Sequence, residues 1–300
     1  MKNVFVFWIA ILIIGCTPSV KEKSTIDIEE YRREIAEFDQ KRIDYQKGPT
    51  GWLNIAGLFW LKEGINTFGS DSENDFVFPE GKIAGRAGFF LLNQNVVTIE
   101  ATPDVEFTIN NKQVKNAVVY HPDSAYVEIE FGSLKWFVIK RDDKYGIRLR
   151  DFESPELEKF HGIERYPVDP TWRIEGMVEW ADSSRTIEIT NVLGQTIQQR
   201  SVGTLVFSIE DMEYRLDVID EDNPEFFLIF ADETNARETY GAGRYMYLDL
   251  PKEGNKVIID FNKAFNPPCA FTEFATCPLP PKQNILPIPV PAGEKNYGTH

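Results

Sequence analysis

Cysteine, histidine and basic residues are scarce in this sequence. Three cysteines in 300 residues exclude a disulfide-dense scaffold, which needs several pairs. A histidine-based metal site needs two or three convergent ligands. His121, His161 and His300 are the only histidines, and no two of them stand at helical or strand spacing, so we expect no metal site.

The chain is acidic: its 32 lysines and arginines are outnumbered by 47 aspartates and glutamates, for a formal net charge of −15. Without a long basic run, we expect no nucleic-acid partner.

The usual motifs of cofactor binding and nucleophilic catalysis are missing as well. Gly241-Ala242-Gly243 lacks the third glycine and the following helix of a dinucleotide-binding loop. No Gly-x-Ser-x-Gly elbow is present, so a serine hydrolase triad has no support. We therefore predict no bound cofactor, and the sequence does not decide whether the protein is an enzyme.

The N-terminus carries a short apolar run behind a positive charge. Lys2 precedes residues 4–14, a run shorter than the ~20 residues that cross a bilayer and typical of a signal-peptide core. Ile13-Ile14-Gly15-Cys16 then resembles the lipobox of bacterial lipoproteins. The resemblance implies a signal peptide over residues 1–15 and a lipid on Cys16, and a buried apolar strand is the alternative. We expect an exported lipoprotein of the bacterial cell envelope, anchored to the membrane through Cys16.

Residues 16–25 are polar and form the predicted tether, and a single helix follows over residues 26–47. Asp27 is placed to cap this helix, with Glu30 three residues later in the manner of a capping box. Apolar side chains recur at three- and four-residue spacing, namely at Ile28, Tyr31, Ile35 and Phe38. Gly48-Pro49 ends the pattern, and we expect the helix to pack on the domain that follows.

Short β runs with turn residues between them make up the rest, so the fold class is mainly all-β. Asn110-Asn111 and Gly132-Ser133 each separate two such runs and suit two-residue hairpin turns. We predict a β-sandwich over residues 48–150 and an irregular linker over 151–171. A second antiparallel β unit, barrel or sandwich, then spans 172–300. Its proline-rich end, from Asn266, retains enough apolar residues to pack on that unit.

The C-terminal third resembles a family known as domain of unknown function 1684 (DUF1684). The matching motifs are Thr-Tyr-Gly-Ala-Gly-Arg-Tyr at 239–245, Asp-Phe-Asn-Lys-Ala-Phe-Asn-Pro-Pro-Cys-Ala-Phe at 260–271, Ala-Thr-Cys-Pro-Leu-Pro-Pro at 275–281 and Ala-Gly-Glu-Lys at 292–295. The helix around Tyr31, the Gly51-Trp52-Leu53 start and the linker are similar to it too. The resemblance implies membership of a family without an established activity.

Residues 61–78 resemble the start of a forkhead-associated (FHA) sandwich. Phe68-Gly69 occupies the position of the phosphate loop, and residues 105–114 are similar to a later hairpin. That family binds phosphothreonine with an arginine after the glycine and a Ser-x-x-His loop, whereas this chain has Ser70 and no such loop between 81 and 92. Without a guanidinium there, bidentate phosphate recognition loses its main donor. The resemblance implies an FHA-like fold without phosphothreonine binding.

A group of polar and aromatic residues lies at strand ends in the C-terminal unit. The group comprises Arg237, Tyr240, Arg244, Tyr245, Asp260, Asn262, Lys263 and Asn266. If the two strand ends are neighbours, these side chains form a pocket for a small polar ligand such as a sugar or a carboxylate. The alternative is that Asp260 and Asn262 cap turns while Arg244 pairs with a carboxylate across the sheet. The sequence supports the two interpretations about equally.

Two cysteines remain after Cys16 is assigned to the lipid anchor. Cys269 and Cys277 are an even pair in an exported protein, which favours a disulfide. Two buried, small apolar side chains are the alternative. A reactive cysteine needs a nearby base or a positive field, and no histidine is close in sequence, so catalysis ranks behind both.

Further polar residues cluster near the predicted linker. His161 lies close in sequence to Arg148, Arg150 and Asp151. A functional segment is one interpretation, and an ion-pair network that joins the two β units is the one we favour. Trp52 and the other tryptophans have the spacing of core residues rather than of a sugar-stacking surface.

Two functions from different classes remain. The first is a ligand-binding or scaffolding lipoprotein of the cell envelope, and the second is an envelope hydrolase that uses carboxylates and arginines of the C-terminal unit. Two carboxylates facing each other at roughly 5–10 Å would favour glycoside hydrolysis. A pocket with one arginine, one asparagine and aromatic walls would favour binding alone.

Overall fold

The structure, a computed structural model, describes residues 27–220 and 224–298. Cys16, the predicted signal peptide and the whole predicted tether lie outside these residues. Helix α1 (Ile28–Lys47) begins where Asp27 accepts hydrogen bonds from the amides of Glu29 and Glu30, at 3.0 and 3.2 Å. It ends at Gly48, and its buried face carries Tyr31, Ile35 and Gln46. No helix of the described residues is long and apolar enough to cross a membrane.

The first β unit is a sandwich of two sheets. Its strands are β1 (Ile55–Trp60), β2 (Gly64–Gly69), β3 (Phe76–Val77), β4 (Gly88–Asn93), β5 (Val96–Ala101), β6 (Phe107–Ile109), β7 (Lys112–Val114), β8 (Asn116–Tyr120), β9 (Glu128–Phe131), β10 (Leu134–Arg141) and β11 (Lys144–Asp151). One sheet has the order β1-β11-β10-β9-β6-β7 and the other β3-β2-β4-β5-β8.

Aromatic side chains fill the space between these sheets. Phe68, Phe90, Phe107 and Trp136 are fully buried, and the Phe68 and Phe90 rings stack with centroids 4.6 Å apart. The predicted hairpin turn at Asn110-Asn111 joins β6 to β7, and both asparagines have the positive φ of such a turn, 51° and 60°. The predicted sandwich is therefore confirmed.

The second β unit follows the linker. The linker contains a short helix, α2 (Pro155–Lys159). The strands of the second unit are β12 (Arg173–Trp180), β13 (Thr186–Thr190), β14 (Thr196–Ile209), β15 (Met212–Ile219), β16 (Glu225–Phe230), β17 (Arg244–Asp249) and β18 (Lys256–Asp260). The sheet order is β17-β16-β15-β14-β12-β18, with β13 added to β14. Because the edge strands β17 and β18 lie close together, the sheet curls into a nearly closed barrel.

Strand β14 is one continuous strand of 14 residues. A bulge lies between Ser201 and Gly203, and pairing with β15 continues on both sides. The strand therefore bends without a break, and its first half carries β13.

The chain after Asn266 wraps over the barrel, as the sequence predicts. Leu286, Val290 and Ala292 are buried in the barrel core. Asn284 fills a gap between β15 and β16, which pair directly only at Ile219 and Phe227. Its side-chain oxygen accepts from the Asp217 amide at 2.7 Å, and its side-chain amide donates to the Asp217 and Ile229 carbonyls at 2.8 and 2.9 Å.

Helix α1 lies against the second unit although it precedes the first. The Tyr31 hydroxyl donates to Asp260 at 2.7 Å, and Arg42 forms an ion pair with Glu294 at 2.9 Å. Phe38 and Trp52 pack on a core cluster of the second unit. The helix, the sandwich and the barrel thereby enclose a cleft, which contains the candidate site.

Candidate functional site

Arg244, the centre of the predicted pocket, is a buried structural residue. Its side chain has no exposure to solvent, and its Nη2 donates to Asp232 at 2.7 Å and to the Val290 carbonyl at 2.9 Å. Its Nη1 donates to the Ala292 carbonyl. Arg244 therefore ties strand β17 to the C-terminal segment that wraps the barrel.

Asp260 and Asn262 belong to a different cluster, beneath α1. The Asn262 side-chain amide donates to the Tyr31 hydroxyl at 2.9 Å and to the Asp169 carbonyl at 2.8 Å. Lys263 forms an ion pair with Glu34 of the helix at 2.5 Å. The partners of these side chains are thus the helix and the linker, whereas those of Arg244 are Asp232 and the C-terminal wrap.

The structure divides the predicted pocket residues among several locations. Arg237 is exposed and Tyr240 is half-buried. Tyr245 and Asn266 line the cleft between the helix, the sandwich and the barrel. The physical reason is that the ends of β17 and β18 are already covered by α1 and the C-terminal wrap. Of the predicted set, these two residues lead to the candidate site.

This cleft is a cavity of about 510 Å³. Its walls are largely aromatic and include Phe38, Tyr45, Trp52, Phe227, Tyr245, Tyr247 and Phe265. Three arginines, Arg42, Arg141 and Arg148, also line it, and no aspartate or glutamate is among its described lining residues. A cleft with this excess of positive charge is unusual in a chain of net charge −15.

Arg148 is the buried charge of the cleft. It lies on β11 between Leu58 of β1 and Phe137 of β10, is 6 % exposed, and its guanidinium lies 5.4 Å from the Trp52 ring centroid. Its Nε and Nη2 atoms have no hydrogen-bond partner among the described residues.

No carboxylate of the described residues forms an ion pair with Arg148. Burial, together with the guanidiniums of Arg141 and Arg150, lowers the pKa of Arg148 to about 10. At neutral pH the side chain is still charged, because this pKa lies well above 7. A desolvated guanidinium without a carboxylate partner is costly for a folded protein.

Two amide oxygens in the same cleft are also without partners. Gln46 is 1 % exposed, and its Oε1 accepts no hydrogen bond from the described residues. Asn266 donates through Nδ2 to the Lys295 carbonyl at 2.7 Å, which leaves its Oδ1 unpaired. Residues that line the cleft therefore include both donors and acceptors that are buried and have no partner among the described residues.

Aromatic rings form one wall as a stack. Tyr247 stacks on Phe227 with centroids 5.0 Å apart and on Phe265 at 5.8 Å. The Arg42 guanidinium lies 4.4 Å above the Phe265 ring. These contacts fix the rings in place, and Tyr247 is the most exposed of the three.

The loop between the two C-terminal cysteines forms another part of the lining. Cys269 and Cys277 form a disulfide with Cα atoms 6.1 Å apart. Cys277 and Thr276 line the cleft, and Arg141 donates to the Thr276 hydroxyl at 3.4 Å. The disulfide thus closes the loop that forms this part of the lining.

Arg148 belongs to no motif, but the alternation of polar and apolar residues around it is a signal in the sequence. Arg148 and Arg150 alternate with Ile147 and Leu149, and the two apolar residues are buried in the sandwich core. The arginines therefore occupy the outer face of a central strand. We predicted an ion-pair network there, but Arg148 forms no ion pair with a described residue. Trp52, predicted as core, lines the cleft.

Two other features are weaker candidates. A cavity of about 650 Å³ borders Asp260, Lys263 and Arg173. Its buried carboxylate, Asp260, accepts from Tyr31 through Oδ1, and its Oδ2 lies 3.9 Å from Arg173 Nε, so its charge is already balanced. Within residues 27–220 and 224–298, no group of three histidine, cysteine or acidic side chains could hold a metal ion. The unpaired groups around Arg148 make the aromatic cleft the stronger candidate.

Solved structures that are similar to parts of this chain include FHA domains and one archaeal protein. The uncharacterised protein from gene locus rrnAC0354 of Haloarcula marismortui is 29% identical, covers 48% of this chain and 82% of its own, and has a TM-score of 0.41. The FHA domain of the CT664 protein from Chlamydia trachomatis is 17% identical, covers 31% of this chain and 94% of its own, and has a TM-score of 0.22.

A third similar structure is EmbR of Mycobacterium tuberculosis, solved with a low-affinity phosphopeptide. It is 10% identical, covers 42% of this chain and 32% of its own, and has a TM-score of 0.21. No curated protein matches the chain. Residues 158–295 match the model of the family described as Protein of unknown function (DUF1684), as the sequence motifs predict.

Proposed function

We propose that this protein is an envelope lipoprotein that binds a small organic anion in the aromatic cleft, with Arg148 as the anchoring residue. The observation that carries the proposal is the pair of unpaired N–H groups on a guanidinium that is 6 % exposed. Nε and Nη2 lie on one edge of the guanidinium plane, the arrangement that binds the two oxygens of a carboxylate.

The desolvation cost of the Arg148 guanidinium favours a ligand with a negative charge. Arg148, Arg141 and Arg42 all line the cleft, and Arg42 alone of the three forms a described ion pair, with Glu294. A carboxylate beside Arg148 would offset its desolvation and satisfy both donors at once. A neutral ligand would leave the charge unbalanced.

The alternative function, a hydrolase, has less support at this site. Glycoside hydrolysis uses two carboxylates on either side of the scissile bond. The described lining of the cleft contains Arg148, Asn266 and aromatic rings but no aspartate or glutamate. This composition favours binding without chemistry.

The location follows from the lipobox resemblance. A lipid on Cys16 and the polar tether of residues 16–25 would hold the helix, the sandwich and the barrel at a membrane surface. The cleft would then capture its ligand in the cell envelope.

The test is a comparison of Arg148→Met with the native protein. Methionine keeps much of the packing on Trp52 but removes the charge. Binding of glucuronate, galacturonate, benzoate and cyclohexanecarboxylate is followed by calorimetry and tryptophan fluorescence. We expect at least one of these anions to bind the native protein and to lose about 30-fold or more in affinity in the variant. The free energy of unfolding should stay unchanged or rise, since an unpaired buried charge is removed.

Arg215→Met is the matched control. Arg215 lies on the barrel surface and pairs with Glu213 at 3.3 Å and with Glu179, away from the cleft. The Arg215→Met variant should bind the same anion with the affinity of the native protein. The proposal is wrong if Arg148→Met and the native protein bind every anion of the panel equally, or if none binds.

A further inference from the structure

We infer that the anion is an acidic sugar, and that the cleft and a neighbouring cavity together accept at least two sugar units. This inference rests on the proposed function, because it assigns the chemical class of the ligand that Arg148 holds. It uses three further observations: unpaired acceptors, an aromatic wall with an exposed tyrosine, and a second cavity.

The unpaired acceptors call for hydrogen-bond donors on the ligand. Gln46 Oε1 and Asn266 Oδ1 are buried and accept nothing from the described residues. A simple apolar carboxylate has no donor to offer, so both oxygens would remain desolvated at a cost. Hydroxyl groups supply donors without adding charge. An ammonium group would also donate, but the three arginines that line the cleft would repel it.

The aromatic wall suits the face of a sugar ring. Phe227, Tyr247 and Phe265 are held in a stack, and Tyr247 is 38% exposed. One face of a pyranose presents mainly C–H groups, which pack on a flat ring while the hydroxyls point outward. The ring of the ligand would lie on this wall, with its carboxylate toward Arg148 and its hydroxyls toward the amide oxygens.

A second cavity of about 400 Å³ continues the cleft. The two share Arg141, Phe227, Thr276 and Pro278 in their linings, so they meet at the point where Arg141 donates to Thr276. Lys140 and Arg141 line the second cavity, and neither forms an ion pair with a described residue. Asp142 is the one carboxylate among its described lining residues. The positive charge therefore continues beyond the first site and suits a second acidic unit.

The first experiment varies the ligand on the native protein. Galacturonate and glucuronate are the acidic sugars, galactose lacks the charge, and cyclohexanecarboxylate keeps the ring and the charge but has no hydroxyls. We expect an acidic sugar to bind at least 100-fold more tightly than either galactose or cyclohexanecarboxylate, because a site built for hydroxyls rejects the analogue that lacks them. Digalacturonate should bind about tenfold more tightly than galacturonate.

The second experiment uses variants. Gln46→Met removes one acceptor and should reduce the preference for the acidic sugar over cyclohexanecarboxylate about tenfold. Arg141→Gln should remove the gain of the disaccharide over the monosaccharide. Arg86→Gln is the control, since Arg86 is exposed and pairs with Glu73 at 3.2 Å on the sandwich surface, and should change neither ratio.

Two failures are distinguishable. If cyclohexanecarboxylate binds as tightly as the acidic sugars, and Arg148→Met abolishes that binding, the sugar assignment is wrong and the anion-binding function stands. If no anion binds in a manner that depends on Arg148, both are wrong. If the disaccharide gains nothing over the monosaccharide on the native protein, the two-unit part of the inference is wrong.

Discussion

Two buried arginines of this chain have opposite surroundings. Arg244 is fully buried and binds Asp232 and two backbone carbonyls. Arg148 is almost as buried but has two donors without a described partner. A sequence cannot separate such cases, because both arginines lie on strands beside apolar residues. The partners of a buried charge, rather than its burial, separate a structural residue from a binding residue.

Removing the Arg244 charge should therefore destabilise the fold. We expect Arg244→Met to lower the free energy of unfolding by about 3–5 kcal/mol, because Asp232 would remain buried and unpaired. Urea unfolding followed by circular dichroism measures the change. Arg237→Met, at an exposed arginine of the same region, should stay within about 0.5 kcal/mol of the native protein. Equal stabilities of the two variants would contradict the structural role of Arg244.

At the scale of elements, the Tyr31 hydroxyl is one of the contacts that dock α1 on the second unit. The helix itself was predictable, since its bounds, its Asp27 cap and its apolar stripe are all local features. Its docking site was not, because Asp260 and Asn262 lie more than 200 residues away in the sequence. Tyr31 donates to the former and accepts from the latter, and it thereby joins the two ends of the chain.

Tyr31→Phe should cost about 1–3 kcal/mol, since it leaves Asp260 and Asn262 with unmade hydrogen bonds. The cost should also depend on pH. Burial and the hydrogen bond to Asp260 raise the pKa of Tyr31 above its usual 10.0. The unfolded chain thus loses the tyrosine proton at a lower pH than the folded protein does. The stabilisation by Tyr31 is complete below pH 10 and declines above it.

The measurement is chemical unfolding of both proteins from pH 7 to 11. The difference in the free energy of unfolding should be constant up to about pH 9 and smaller at pH 11. Retention of α1 in the variant is checked by hydrogen exchange of its amides. A difference that grows above pH 10 would contradict this account of Tyr31.

For the whole molecule, sequence patterns predicted the order of units better than their assembly. Hairpin turns, strand periodicity and the DUF1684 motifs are each encoded within short segments, so the helix, the sandwich and the barrel could be predicted. The cleft combines Gln46 and Trp52 with Arg148 and Asn266, which come from separate segments. Its geometry depends on the docking of α1 on the barrel, and local sequence patterns do not predict that docking.

The anchoring of the whole molecule is tested at Cys16, which lies outside the described residues. We expect Cys16→Ser to abolish fatty-acid labelling and to shift the mature protein from the membrane fraction to the soluble fraction. Cys269→Ser combined with Cys277→Ser is the control, and this double variant should remain in the membrane fraction. Equal labelling of Cys16→Ser and the native protein would contradict the lipoprotein proposal.

Asn284 has a consequence for how the protein is made. Strands β15 and β16 depend on its side chain for hydrogen bonds that they do not make with each other. During synthesis the chain emerges from its N-terminus, so both strands are present before Asn284 arrives. Until then backbone groups of β15 and β16 lack partners, and other chains can pair with such an edge. We therefore expect a copy that ends before Asn284 to aggregate more readily than the full chain.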